Sequence, residues 1–254
     1  MDSLLANFPL WVMVFACLVA LGAGVVKGVV GFAMPMILIS GLSSVMSPEW
    51  ALAGLILPTL ATNALQALRQ GVGAAWRSVM RYRVFLLSGL VVMLLSAQLV
   101  SVLPPRVMLL LIGGPMVIYA LFGLAGRPMR LSADHGHKTE AAIGAVAGFF
   151  GGISGVWGPP TVAMLTAQDT EKHAHVRSQG VIYALGACAL LGAHIGSGVL
   201  RLQTLPLSAL LVIPSMAGML LGLQWHDRLD QATFRRLTLF VLLVAGLNLV
   251  RRGL

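Results

Sequence analysis

Glycine and proline recur at one spacing in two apolar stretches, and this spacing is suited to binding an anion. The residues that share the pattern G-x3-G-x2-G-x3-P are Gly24, Gly28, Gly31 and Pro35, then Gly148, Gly152, Gly155 and Pro159. Proline favours the first turn of a helix, where its missing N–H would have had no partner. Each proline is therefore expected to begin a short helix, whose N-terminal end carries free N–H donors and about half a positive charge.

The same glycines have two interpretations. Glycine lets a ligand approach the backbone closely, and small-x3-small patterns also let two helices pack closely. Packing alone leaves the matching prolines unexplained. We therefore favour an anion site formed where the two short helices begin.

Lys27 is the only lysine or arginine inside an apolar block. An ammonium deep in a bilayer costs about 2.5–3.5 kcal/mol on insertion scales, so such a residue usually has a functional reason. Near the tip of a helical hairpin, Lys27 would lie beside the proposed site. At the end of a full span, it would instead extend its ammonium to the interface. Both readings are open, and we favour the first.

Polar residues on neighbouring segments would complete the pocket. The predicted substrate-binding residues are Lys27, Gly28, Gly31, Pro35, Asn63, Gly152, Ser154, Gly155, Pro159 and Gln179. His194 and Arg69 are candidates for coupling or gating. The carboxylates Glu49, Asp169 and Glu171 fall at segment ends, so a carboxylate proton relay is not expected. No catalytic residue, metal ligand or cofactor is predicted.

The composition determines which elements position these residues. Apolar residues make up 58% of the 254, charged residues 10%, and the mean hydropathy is +0.90. A soluble domain has about a quarter charged residues, whereas this chain has repeated apolar runs long enough to cross a bilayer. The net charge is +9, and the basic residues lie in short loops without interleaved aromatic residues. This pattern argues against a nucleic-acid partner and favours anionic lipids as partners. We predict an all-α polytopic membrane protein, for which a homo-oligomer is allowed but not required.

The helical pattern occurs twice. An interrupted block at residues 9–46 is followed by three apolar segments, and a second block at 141–168 is followed by three more. We predict two repeats, 1–125 and 141–254, joined by a polar linker at 126–140. The limbs of the second block are short, which favours a re-entrant hairpin. Those of the first are longer, so a hairpin and two full spans both remain open there.

Loop charges predict how the repeats are oriented. We place the N-terminus outside and let each interrupted block begin and end on the same side of the membrane. Twelve lysines and arginines of the loops then lie inside and four outside. This distribution satisfies the positive-inside rule. Equivalent loops then lie on opposite sides, as inverted-topology repeats require. Both termini are predicted on the outer side of a bacterial inner membrane.

The chain resembles the TauE/SafE family of sulfite and organic-anion transporters. The resemblance is carried by G-V-V-K-G-V-V-G-F-A-M-P (24–35) and G-F-F-G-G-I-S-G-V-W-G-P-P (148–160) and by the spans after each. It implies an inner-membrane carrier for small anions, such as sulfite, sulfonates or related carboxylates, that commonly works in export. Many members have a more glycine-rich first motif, where this chain has Val29, Val30 and Ala33.

Two other classes of protein are compatible with parts of the sequence. The sequence Gly152-Ile153-Ser154-Gly155 matches the G-x-S-G of rhomboid proteases, and the segment around His194 is similar to their histidine segment. A serine, a nearby imidazole and oxyanion donors would be enough for such chemistry, but the repeat accounts for both segments without catalysis. A non-transporting scaffold is the other alternative.

Overall fold

All regular secondary structure described is helical. The computed structural model describes residues 8–96, 105–127, 136–154, 158–196 and 200–254. Their helices are α1 (Leu10–Val30), α2 (Met34–Leu42), α3 (Pro48–Leu68), α4 (Val72–Arg81), α5 (Arg83–Ser96), α6 (Pro105–Leu124), α7 (Gly136–Ser154), α8 (Gly158–Ala167), α9 (Lys172–Gly196), α10 (Leu205–Arg228) and α11 (Gln231–Gly253).

Several of these helices are long and apolar enough to cross a membrane. Among the described residues, four qualify: Leu10–Val30, Glu49–Leu68, Leu205–Arg228 and Gln231–Gly253. A fifth span is possible if α4 and α5, which are bent by 71° at their junction, count as one. The prediction of a polytopic all-helical membrane protein is confirmed in this form.

The helices pack into two compact units. Unit 1 comprises Met1–Arg69 and Gly180–Leu229, and unit 2 comprises Gln70–Gln179 and Asp230–Leu254. Each unit takes segments from both halves of the sequence. Helix α7 begins at Gly136, inside the predicted linker at 126–140. The division into repeats at 1–125 and 141–254 therefore describes the sequence pattern, not the packing units, and stays a prediction.

The first interrupted block is a hairpin with unequal limbs. Helix α1 ends at Val30 and is followed by Gly31, whose φ of 87° is left-handed, and Ala33 adopts a φ of 72° before α2. A Cβ built on Gly41 would lie only 2.5 Å from Val19 Cγ1, so α2 folds back along α1. With nine residues, α2 is too short to cross the bilayer. The alternative of two full spans is wrong for this block.

Helix starts follow the predicted capping chemistry. Pro35 is the second residue of α2 and Pro159 the second of α8, so both prolines begin short helices as expected. Helix α11 begins differently: Asp230 Oδ1 accepts the Thr233 N–H over 2.7 Å and caps the first turn. This hydrogen bond lowers the pKa of the Asp230 carboxyl below its ordinary value.

Glycine-lined contacts hold a pair of helices together in each unit. In unit 1, a Cβ on Gly24 would lie 2.2 Å from Ser215 O, so α1 and α10 are in backbone contact. In unit 2, a Cβ on Gly148 would lie 2.1 Å from Gly89 O, so α7 and α5 are in the same kind of contact. Gly148 is the residue that the sequence repeat aligns with Gly24.

Candidate functional site

One face of α3 is polar although the helix is apolar enough to span. Its polar residues follow helical spacing and are all buried: Thr59, Thr62, Asn63 and Gln66. Polar groups in a membrane helix face protein or a watery cavity, because lipid cannot hydrogen-bond to them. This face of α3 therefore turns toward the interior of unit 1.

Lys27 lies against this face. Its side chain is 1% exposed, and its Nζ donates a hydrogen bond to Asn63 Oδ1. A lysine that extends to the interface would leave its ammonium in contact with water, so that reading is wrong. Among the residues that the structure describes, no carboxylate forms an ion pair with Lys27.

The break in the first block is held by a second residue of α3. Gln66 Nε2 donates to Gly31 O over 3.0 Å, while the Gly31 N–H closes α1 by donating to Lys27 O over 2.7 Å. The left-handed φ at Gly31 favours glycine, since a side chain would be strained there. Gln66 was not predicted. The signal available was its position three residues after Asn63, on the same face of a helix.

The start of α2 lies at the same place. Thr62 Oγ1 lies 3.6 Å from Met34 Sδ, which brings the first residue of α2 next to Asn63. The N–H groups in the first turn of a helix have no partners within it. Together with Lys27, the start of α2 gives this site a positive electrostatic character.

Contacts between α1 and α3 locate the site along the helices. The rings of Phe8 and Trp50 are 5.0 Å apart at the starts of the two helices, and Lys27 meets Asn63 near their ends. Helices α1 and α3 are therefore parallel, and the first block returns the chain to the side where it began. Asn63 lies six residues, about 9 Å, before Arg69.

Two further polar contacts surround the end of α1. The ring of His226 is buried, and its Nδ1 donates to Val29 O over 3.0 Å. Arg69, a predicted gating residue, forms a two-point ion pair with Asp227 at 3.1 and 2.5 Å. His226 was not predicted, since a histidine near the end of a span ordinarily faces the interface.

Gly28, predicted to bind substrate, packs against another helix. A Cβ there would lie 2.3 Å from Met219 O and 2.7 Å from Gly222 Cα. This side of Gly28 is filled by α10, so the packing interpretation accounts for this glycine. The predicted binding residues that the structure brings together in unit 1 are Lys27, Gly31, Pro35 and Asn63.

The second interrupted block is described only in part. Gly152 and Ser154 belong to α7, Pro159 to α8 and His194 to α9, but their side chains lie outside the described residues, as does all of Gly155. Gln179 belongs to unit 2 and is fully buried. The binding roles predicted for these residues, and the coupling role of His194, stay predictions.

Comparison with known families decides which class of protein this is. The model of the family described as "Sulfite exporter TauE/SafE" matches residues 16–249. The chain belongs to the TauE/SafE family. No curated protein and no solved structure matches it.

TauE/SafE membership makes this chain a membrane anion transporter, and it places the chain among transporters and not enzymes. The match includes Lys27 and Asn63 and both glycine–proline motifs. The protease alternative is therefore set aside for Ser154 and His194.

Proposed function

We propose that this protein exports a small anion, such as sulfite, an organosulfonate or a related carboxylate, across a bacterial inner membrane. The anion binds in unit 1 at the break between α1 and α2, against Lys27. The observation that carries the proposal is the burial of Lys27 beside neutral Asn63 without an ion-paired carboxylate in the described ranges.

Charge balance explains why such a site would take an anion. A charged group removed from water is unfavourable unless it is paired. Asn63 accepts one hydrogen bond from Lys27 but supplies no negative charge. A bound anion would supply the missing charge, and the start of α2 would add N–H donors and a favourable dipole.

The donor set also restricts the chemistry of the substrate. An ammonium has three N–H donors, and Asn63 takes one of them. The other two can reach oxygens of a sulfite, sulfonate or carboxylate group, and charge-assisted hydrogen bonds of this kind are the stronger ones. In this proposal Asn63 positions Lys27, because it accepts one of the ammonium's hydrogen bonds and so orients the other two donors.

An inverted repeat is the proposed framework for transport. Its support is that the helix order recurs, with α1, α2 and α3 matched by α7, α8 and α9. The glycine contacts recur as well: α1 packs on α10, and its counterpart α7 packs on α5, the segment that aligns with α10. Roles of Gly152, Ser154, Gly155, Pro159 and Gln179 in binding the anion, and of His194 or Arg69 in coupling or gating, are further parts of the proposal.

Reporter fusions test this framework. Alkaline phosphatase, which is active only outside the cytoplasm, is expected to be active when fused after Leu254 and inactive when fused within the basic segment 69–83. These results follow from an odd number of crossings in each half. Equal activity of the two fusions would place both points on one side of the membrane and would contradict the inverted arrangement.

A screen of anions tests the function itself. Sulfite, methanesulfonate and acetate are added as sodium salts to the detergent-purified protein, with choline chloride as the control. A bound anion is expected to raise the melting temperature, since a ligand selective for the folded state stabilises it. The anions that do so are then expected to exchange across the membrane of proteoliposomes. A protein that shows neither a shift nor anion flux would be a scaffold instead.

A further inference from the structure

Helix α4, outside the anion site, has two distinct faces. Ala74, Ala75 and Ser78 are buried, and Arg177 Nε donates to Ser78 Oγ over 2.9 Å, which anchors this face within unit 2. The opposite face carries three exposed apolar residues at intervals of four: Val72, Trp76 and Met80. An exposed apolar stripe on a short, arginine-bearing helix is typical of a helix that lies in the membrane interface.

The direction of α4 agrees with this placement. Helix α5, which follows it, exposes apolar residues over its length: Leu87, Leu90, Val91, Leu94 and Leu95. Such a surface suits contact with lipid chains. Because α4 meets α5 at 71°, α4 runs nearly along the membrane surface if α5 crosses it. Trp76 then lies at the depth that tryptophan prefers in membranes.

A cavity at this junction combines cations with apolar walls. It has a volume of about 490 Å³, and its lining combines Arg77, Arg81, Arg83 and His137 with the apolar side chains of Trp76, Met80 and Val84. Arg81 forms an ion pair with Glu140 over 3.7 Å, so one of the three arginines already has a carboxylate partner. Within the described parts of the chain, no carboxylate pairs with Arg77 or Arg83.

We propose that this cavity binds the headgroup of an acidic phospholipid. Its phosphate would lie against Arg77 and Arg83, and the first part of an acyl chain would lie along Trp76 and Met80. Arginine suits phosphate because its planar guanidinium donates two hydrogen bonds in a fixed geometry. A soluble phosphate would use the arginines but not the apolar wall, whereas a lipid uses both. The proposal depends only on unit 2 and not on the transported anion.

Native mass spectrometry of the full-length protein tests the proposal. Binding of dioleoyl phosphatidylglycerol is compared with that of dioleoyl phosphatidylcholine, which has the same chains and no net charge. We expect the Arg77→Gln/Arg83→Gln variant to bind phosphatidylglycerol about 30-fold more weakly, since each of the two basic residues at the surface contributes about 1 kcal/mol. Trp76→Ala is expected to weaken binding of the same lipid several-fold by removing the apolar wall.

The matched control is Arg251→Gln/Arg252→Gln, which makes the same change in net charge at exposed residues near the C-terminus. It is expected to retain the affinity of the wild type. An equal loss in this control would show that net charge alone attracts the lipid and would overturn the proposal. Equal binding of phosphatidylcholine, or displacement of the lipid by excess glycerol phosphate, would overturn it as well. Unchanged melting temperatures establish that each variant is folded.

Discussion

Replacement of Lys27 by methionine is expected to weaken anion binding by about 10- to 100-fold, the effect of losing a hydrogen bond to a charged group. Methionine has a similar length and is apolar, so it fills the same space. The buried ammonium is the proposed source of the charge that the anion requires. The dissociation constant from anion-dependent melting curves and the initial flux in proteoliposomes both measure this loss.

Stability distinguishes this loss from misfolding. Lys27→Met removes a buried charge, which favours insertion, but leaves Asn63 Oδ1 without this donor, so the protein is expected to insert and fold with only a modest change in melting temperature without ligand. Lys138→Met removes an exposed lysine of α7 and is expected to leave binding intact. Asn63→Leu removes the acceptor that directs Lys27 and should weaken binding while keeping the charge. Unchanged affinity of Lys27→Met for every anion that stabilises the wild type would refute the site.

Replacement of Gly28 by alanine is expected to lower the free energy of unfolding by about 1–3 kcal/mol, the usual effect of overpacking a tight contact. The added Cβ would meet Met219 O at 2.3 Å and Leu223 N at 2.8 Å. Both atoms belong to the backbone of α10, which cannot move aside as a flexible side chain can. Unfolding of the purified protein in mixed micelles measures the change.

Gly22 provides a matched control on the same helix. Nothing lies within 4 Å of a Cβ built there, so Gly22→Ala adds helix propensity without a collision. It is expected to raise the free energy of unfolding by as much as about 1 kcal/mol. The same glycine-to-alanine change should therefore lower the free energy of unfolding at Gly28 and raise it at Gly22. Equal stability of the two variants would mean that α1 and α10 are not in backbone contact.

The same comparison extends to unit 2. A Cβ on Gly148 would meet Gly89 O at 2.1 Å, so Gly148→Ala should destabilise the protein as Gly28→Ala does. Because Gly28 serves packing, a weaker affinity in Gly28→Ala would report a displaced α1 and not a lost ligand contact. Lys27→Met is therefore the test of the anion site, and Gly28→Ala is the test of the framework that holds it.

The sequence by itself determined the membrane class, the helix starts at Pro35 and Pro159, and the interruption of the first apolar block in its glycine–proline stretch. These features depend on local chemistry. Hydropathy over one span is sufficient to predict insertion, and the geometry of proline and glycine is set within a single turn. The sequence predicted the burial of Lys27 only in part, because a cation inside an apolar block has few favourable positions.

Tertiary structure alone decided how those elements meet. Sequence did not show that α2 folds back along α1, that Gln66 holds the break or that His226 is buried beside Val29, because each depends on residues distant in the chain. The sequence also could not distinguish a packing role from a binding role at Gly28. Both roles require that the residue has no side chain, and they differ only in whether a helix or a ligand lies beside it. Local pattern specifies a helix and its ends, whereas the partner of each helical face is set by which apolar surfaces pack together.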